Sequence, residues 1–146
     1  MLEICPLSSE SAFALEGLSY DKLDNLKKTA MLLESERGEH NGKFFKLFAV
    51  VVDGETVGVM NVCAKSKSVI SIAPEIKEKY RRKGYAFIAE QMLFNLLKEK
   101  GYKIALATIK KDNLASIALQ EKLGFEFVKE YVSDKGNELL MYLKSL

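Results

Sequence analysis

The stretch Val69-Ile70-Ser71-Ile72-Ala73-Pro74-Glu75-Ile76 leads through a short basic run into Arg81-Arg82-Lys83-Gly84-Tyr85-Ala86, and this order decides the fold. Val69, Ile70, Ile72 and Ile76 read as a strand. From Tyr85 to about Lys100, Ala86, Ala89, Leu93, Leu96 and Leu97 form the buried stripe of a helix, and Gly101 is a C-terminal stop. A basic turn between strand and helix reads either as a solvated turn before an ordinary helix or as an anion cradle. The first turn of a helix has backbone N–H groups without intrahelical partners, and the helix dipole adds positive potential. Gly84 lets a phosphate approach the backbone, and Ala86 keeps the next turn small. Arg81, Arg82 and Lys83 bring charge complementary to a pyrophosphate. Pro74 lacks an N–H, which predicts a bulge or an interruption of pairing.

Downstream, Lys103–Ile109 reads as a strand and Asn113–Leu123 as a helix. Asn113 is its N-cap, and Gly124, with Phe125 behind it, is its C-terminal glycine. Phe125–Ser133 and Asn137–Leu143 read as a closing hairpin. Upstream, Phe44–Val52 and Thr56–Ala64 flank the tight-turn signal Asp53-Gly54. Leu2–Cys5 reads as a short strand stopped by Pro6. Ser8 and Ser9 offer caps for a helix carrying Phe13, Ala14 and Leu18. Asp21–Glu36 reads as a second helix, with Leu23, Leu26, Ala30 and Leu33 on one face. The order β-α-α-β-β-β-α-β-α-β-β mixes hairpins with crossover helices, as in a mixed α/β sheet covered by helices.

The chain of 146 residues is expected to be a single domain, 1–146, with no repeat or linker. Its net charge of +2 is too balanced for a general nucleic-acid binder. Positive charge is concentrated from Lys77 to Lys83, where Glu78 is the one acidic residue. That patch is short and has only Tyr80 and Tyr85 as stacking aromatics, so no nucleic-acid partner is expected. The spacing is not that of a P-loop, which leaves nucleotide hydrolysis unsupported. Cys5 and Cys63 are too few for a secreted-type disulfide framework, and the single His40 argues against a histidine-based metal site. No apolar stretch approaches a membrane span, and no signal peptide is evident, so a cytoplasmic protein is expected.

Taken together, the two segments resemble the GNAT N-acetyltransferase family. Arg81, Gly84 and Ala86 match its Q/R-x-x-G-x-G/A signature. Asn113, Ser116, Gly124 and Phe125 match a second signature, N-x-x-A/S followed by G-F. The resemblance is most specific from Val69 to Phe125 and weak before Phe44. It implies a mixed, mostly antiparallel sheet of about seven strands, splayed in the middle, with helices on both faces. It also implies transfer of an acetyl group from acetyl-CoA to a primary amine of a small molecule, peptide or protein. Backbone N–H groups from Arg82 to Ala86 would hold the pyrophosphate. Ile76 and Lys77 would meet the pantetheine arm, and Asn113 and Ser116 would contact it from the other side. No metal is implied, and a monomer or homodimer is compatible.

The chain departs from that pattern at two places. Many members have a tyrosine four residues after the position of Ser116, where this chain has Gln120. An amide is no general acid near neutral pH. Gln120 could still hydrogen-bond the sulfur, or water could supply the proton. A family glutamate five residues before the motif asparagine is Thr108 here, and another on the central strand is Ile70. Glu75 is the leading candidate base, with Tyr131, Glu138, Tyr142 or a bound water as alternatives. These departures leave a non-catalytic acyl-CoA-binding sensor or subunit as the second reading.

Overall fold

The computed structural model describes all residues from Met1 to Leu146. Its strands are β1 (Leu2–Pro6), β2 (Glu39–His40), β3 (Lys43–Val52), β4 (Glu55–Ala64), β5 (Val69–Ile76), β6 (Ile104–Lys110), β7 (Glu126–Val132) and β8 (Glu138–Ser145). The helices are α1 (Asn25–Arg37), α2 (Tyr85–Glu99) and α3 (Leu114–Lys122). The sheet runs β1-β3-β4-β5-β6-β8-β7, with the two-residue β2 beside β3. Every neighbouring pair is antiparallel except β5–β6.

Alternation along the strands sends side chains to two cores. On one face, Ile70, Ile72, Ala105, Ala107 and Ile109 pack against Ala89, Leu93 and Leu97 of α2 and against Leu123 and Phe125 at the end of α3. On the other, Leu47, Ala49 and Val59 meet Ala14, Leu15, Leu18 and Leu32. Burying both faces requires helical cover on each side, and the expected architecture is present.

Two expectations in the N-terminal third are corrected. The helix expected around Phe13 is a pair of short 3-10 turns, Ala12–Leu15 and Ser19–Lys22. Gly17, at φ +78°, separates them and prevents a continuous helix. Helix α1 starts at Asn25, where Asp24 accepts from the Lys27 N–H at 2.9 Å. Its buried residues are Leu32 and Ser35, while Leu26 and Leu33 face solvent. The helix is pinned by a polar contact: Ser35 Oγ donates to the Leu7 carbonyl and accepts from the Leu47 N–H, each at 2.9 Å. Apolar spacing alone did not reveal this face.

Pro74 sits opposite Met60 in an unshifted β4–β5 register, so there is no bulge there. The Lys77 N–H donates to the Val57 carbonyl at 2.8 Å. Peptide groups alternate along a strand, so Glu75 and Ala73 also face β4, while Ile72, Pro74 and Ile76 face β6. The proline therefore costs β4 no hydrogen bond. The β-bulge lies instead in β4, where Val57 is the extra residue between Val50↔Gly58 and Val51↔Thr56.

Candidate active site

The parallel pair β5–β6 stays in register for three residue pairs only, from Val69↔Ile104 to Ser71↔Leu106. Beyond Ser71 the strands part. β6 continues along β8 as far as Lys110↔Leu139, and β5 continues along β4 as far as Gly58↔Ile76. The result is a fork whose mouth lies at the C-terminal ends of β5 and β6. The β5 edge of the fork carries the peptide groups of Ile72, Pro74 and Ile76, with Pro74 offering only a carbonyl. Arg81 Nε donates to the Ile76 carbonyl at 2.9 Å, leaving the Ile76 N–H as the donor nearest the mouth.

At that mouth the chain turns into α2. None of the six backbone N–H groups from Arg82 to Phe87 donates to a protein acceptor, and the first intrahelical bond of α2 is Ile88 N–H to the Gly84 carbonyl. Arg82 and Gly84 both hold left-handed backbone, at φ +65° and +79°. Such alternation turns successive N–H groups toward a concavity that suits an anion. Strain in a non-glycine residue such as Arg82 is typical of ligand-holding segments. A Cβ added at Gly84 would meet nothing within 4 Å, so the approach to the backbone is open. Gly84 caps α2 without a side chain, which leaves the dipole end uncovered.

The other predicted residues divide. Arg82 and Lys83 are exposed beside the cradle, while Arg81 is folded back onto β5. Lys77 does not reach the fork: its N–H and carbonyl bond Val57 and Tyr80, and its stem lies by Gly17. Tyr85 and Ala86 stand in the first turn of α2. Asn113 Oδ1 accepts from the Ser116 N–H at 3.2 Å, placing both at the start of α3, across the fork from α2. Gln120 is buried between the helices and donates to Glu90 Oε2 at 3.1 Å. Tyr142 is buried on the helical side, with its hydroxyl directed at Glu121.

Glu75 projects from the opposite face of β5. Its carboxylate accepts from the Ser19 N–H at 2.8 Å and from Ser19 Oγ at 2.6 Å. Tyr20 lies beside it, with Asn61 as its other polar neighbour. Burial, opposed by Asn61 and reinforced by the Glu75 charge, pushes the Tyr20 hydroxyl up to about 12, so it keeps its proton at physiological pH. Ser19, Tyr20 and Asn61 carry no motif, and only the fold brings them to Glu75. Two surface clefts, of about 340 and 550 Å³, lie by Gln91 and Lys144 and by Lys110 and Asn137; neither is lined by the cradle or by Glu75.

A fork in a parallel strand pair, with open N–H donors at its mouth, is the arrangement that the resemblance to N-acetyltransferases implies. An acetyltransferase (GNAT) domain model matches residues 18–126, and the chain belongs to that family. Similar solved structures include RimL, described as a ribosomal L7/L12 alpha-N-protein acetyltransferase in complex with coenzyme A. It is 16% identical with a TM-score of 0.83, over 99% of this chain and 94% of that one. An acetyltransferase from Salmonella typhimurium, described as modifying the N-terminal serine of L7/L12, is 16% identical with a TM-score of 0.84, over 99% and 95%. The Escherichia coli ribosomal-protein-S18-alanine N-acetyltransferase is 16% identical with a TM-score of 0.73, over 99% and 94%. At such identities the likeness shows the fold. No curated protein sequence matches the chain, and no helix is long and apolar enough to cross a membrane.

Proposed function

We propose that the protein transfers an acetyl group from acetyl-CoA to a primary amine. The observation that carries this reading is the run of six unpaired N–H groups from Arg82 to Phe87 at the mouth of the fork. These groups hold the pyrophosphate, with Arg82 and Lys83 adding charge. The edge of β5 aligns the pantetheine arm through the Ile76 N–H and the Pro74 carbonyl, while Asn113 and Ser116 close on it from α3. Acetyl-CoA supplies an activated acyl thioester. The chain contributes orientation and a hydrogen-bond donor for the acyl oxygen, so that nitrogen attacks as the carbon–sulfur bond breaks.

Glu75 takes the proton that the amine loses, directly or through one water, from the face opposite α2 and α3. Ser19 holds its carboxylate in place through two hydrogen bonds, and Tyr20 keeps its proton beside it. Gln120 is committed to Glu90, so the departing thiolate takes its proton from solvent. The acceptors named for the similar structures are amines of ribosomal proteins, which makes peptide N-termini the first acceptors to test beside small amines. We place the protein in the cytoplasm as a monomer or homodimer.

Calorimetry with acetyl-CoA and a thiol-release assay over an amine panel test the reading. Micromolar binding and amine-dependent thiol release are expected. Gly84→Glu puts bulk and negative charge where nothing now stands within 4 Å, and unimpaired binding by that folded variant overturns the cradle. Glu75→Gln is expected to lower turnover and flatten its pH profile; an unchanged profile removes Glu75 as the base.

A further inference from the structure

The least exposed polar pair in the molecule lies between the two helices that flank the fork. Glu90 of α2 is 0% exposed and Gln120 of α3 is 1% exposed. They are joined by a single hydrogen bond, Gln120 Nε2 to Glu90 Oε2 at 3.1 Å. Each keeps one buried oxygen, Oε1, without a hydrogen-bond partner. Two buried acceptors without a protein partner are costly. Turning the Gln120 amide over does not help, because an amide still presents one oxygen that needs a donor. A proton on Glu90 resolves both vacancies at once. A carboxylic acid and a primary amide then pair in a ring, one N–H···O and one O–H···O, with no oxygen left over.

The position of the pair gives it a role. Helix α2 follows β5 through residues 77–84, and α3 follows β6 through residues 111–113, so both helices start at the mouth of the fork. At about 1.5 Å per residue, Glu90 and Gln120 lie roughly 8 and 9 Å into their helices, at the same depth. The bond between them spans the fork on its helical side. One helix carries the cradle, and the other carries Asn113 and Ser116. We infer that Glu90 is a protonated positioning residue whose acid–amide pair with Gln120 fixes the spacing of the two helices that hold the acyl donor. This rests on the proposed coenzyme A site. The partners fit a neutral acid. The strands beneath offer Ile70, Ile72, Ala105, Ala107 and Ile109 on this face. On α3, Glu121 pairs with Tyr142 of β8, and Lys122 stacks on Phe87 of α2 with its Nζ 4.7 Å from the ring. Burial first, opposed by the Gln120 hydrogen bond, raises the Glu90 carboxyl to about 8.

The test uses coenzyme A as the probe, with calorimetry at pH 7 and pH 9 on the wild type, Glu90→Gln and Glu90→Leu. With titration near pH 8, the paired fraction falls about tenfold between these pH values, and affinity falls with it. Glu90→Gln keeps a neutral ring of two amides, so its affinity relative to wild type should rise about tenfold over the same interval. Glu90→Leu should bind weakly at both. Carbon-13 NMR of the Glu90 carboxyl gives an independent reading and should show titration near pH 8. Parallel pH trends in wild type and Glu90→Gln overturn the positioning role, and a carboxyl titrating in the usual range overturns the protonated pair. Absence of coenzyme A binding by wild type at pH 7 overturns the proposed function and the positioning role with it, while the NMR titration still decides the pairing.

Discussion

Gly58→Ala tests how closely the edge of β5 must be held. Gly58 is the glycine whose constraint is contact with its neighbours, because a Cβ there would stand 2.5 Å from the Glu75 carbonyl oxygen and 2.7 Å from Ile76 Cδ1. Ordinary contact begins near 3.4 Å. The end of β5 must therefore retreat by about 1 Å, a displacement that can cost about 100-fold in rate when it misaligns reacting groups. Overpacking of this kind costs about 1–3 kcal/mol. For a chain of this size that lowers the thermal midpoint by roughly 2–12 °C. The displaced groups are Glu75 and Ile76, one proposed as the base and the other as the donor nearest the mouth. The assay pairs calorimetric unfolding with thiol release at a temperature where every variant is folded. Leu32→Ala is the control. It empties a fully buried site under α1, costs about 2–5 kcal/mol, and leaves β5 untouched, so its turnover should persist. If Gly58→Ala is destabilised yet turns over at the wild-type rate, the edge of β5 does not position the reaction.

Three other outcomes follow from named contacts. Glu90 holds its proton to about pH 8 in the native state, against an ordinary value of 4.5. The unfolded chain therefore releases a proton that the native state keeps, and stability falls as pH rises between those values. Glu90→Gln lacks this loss, so its advantage over wild type in urea unfolding should grow by about 3 kcal/mol from pH 5 to pH 8; a constant difference contradicts the shift. Ser35→Ala strips the Leu7 carbonyl and the Leu47 N–H of their buried partner, and thermal unfolding should show a loss of about 2–4 kcal/mol. Asn113→Ala removes the cap of α3 and should cost about 0.5–2 kcal/mol. Asn113→Asp should restore stability without restoring coenzyme A affinity; recovery of both would reduce Asn113 to a cap.

The elements from Val69 to Phe125 were legible because their signals are local. Gly84 before an apolar helix, Asn113 at a helix start and Gly124 at its end each act through their own backbone. Residues 81–86 likewise read as a cradle, since unpaired N–H groups belong to any helix start. The N-terminal third was less legible. Leu23, Leu26, Ala30 and Leu33 fit helical spacing as well as the buried residues do, and Ser35 anchors α1 through partners in β3 and the loop after β1. Pro74 announced an interruption, but its side followed only from the Lys77–Val57 hydrogen bond.

By itself the sequence determined a basic, glycine-containing turn between a strand and a helix, a second capped helix after the next strand, and the family pattern they compose. Those features depend on neighbours a few residues apart. The tertiary structure decided what stands around the turn. It opened β5 from β6 beyond Ser71, set Ser19 on Glu75 from 56 residues away, and buried Glu90 against Gln120 from 30 residues away. Contacts between distant segments leave no period or motif along the chain; they exist only once burial has brought the segments together.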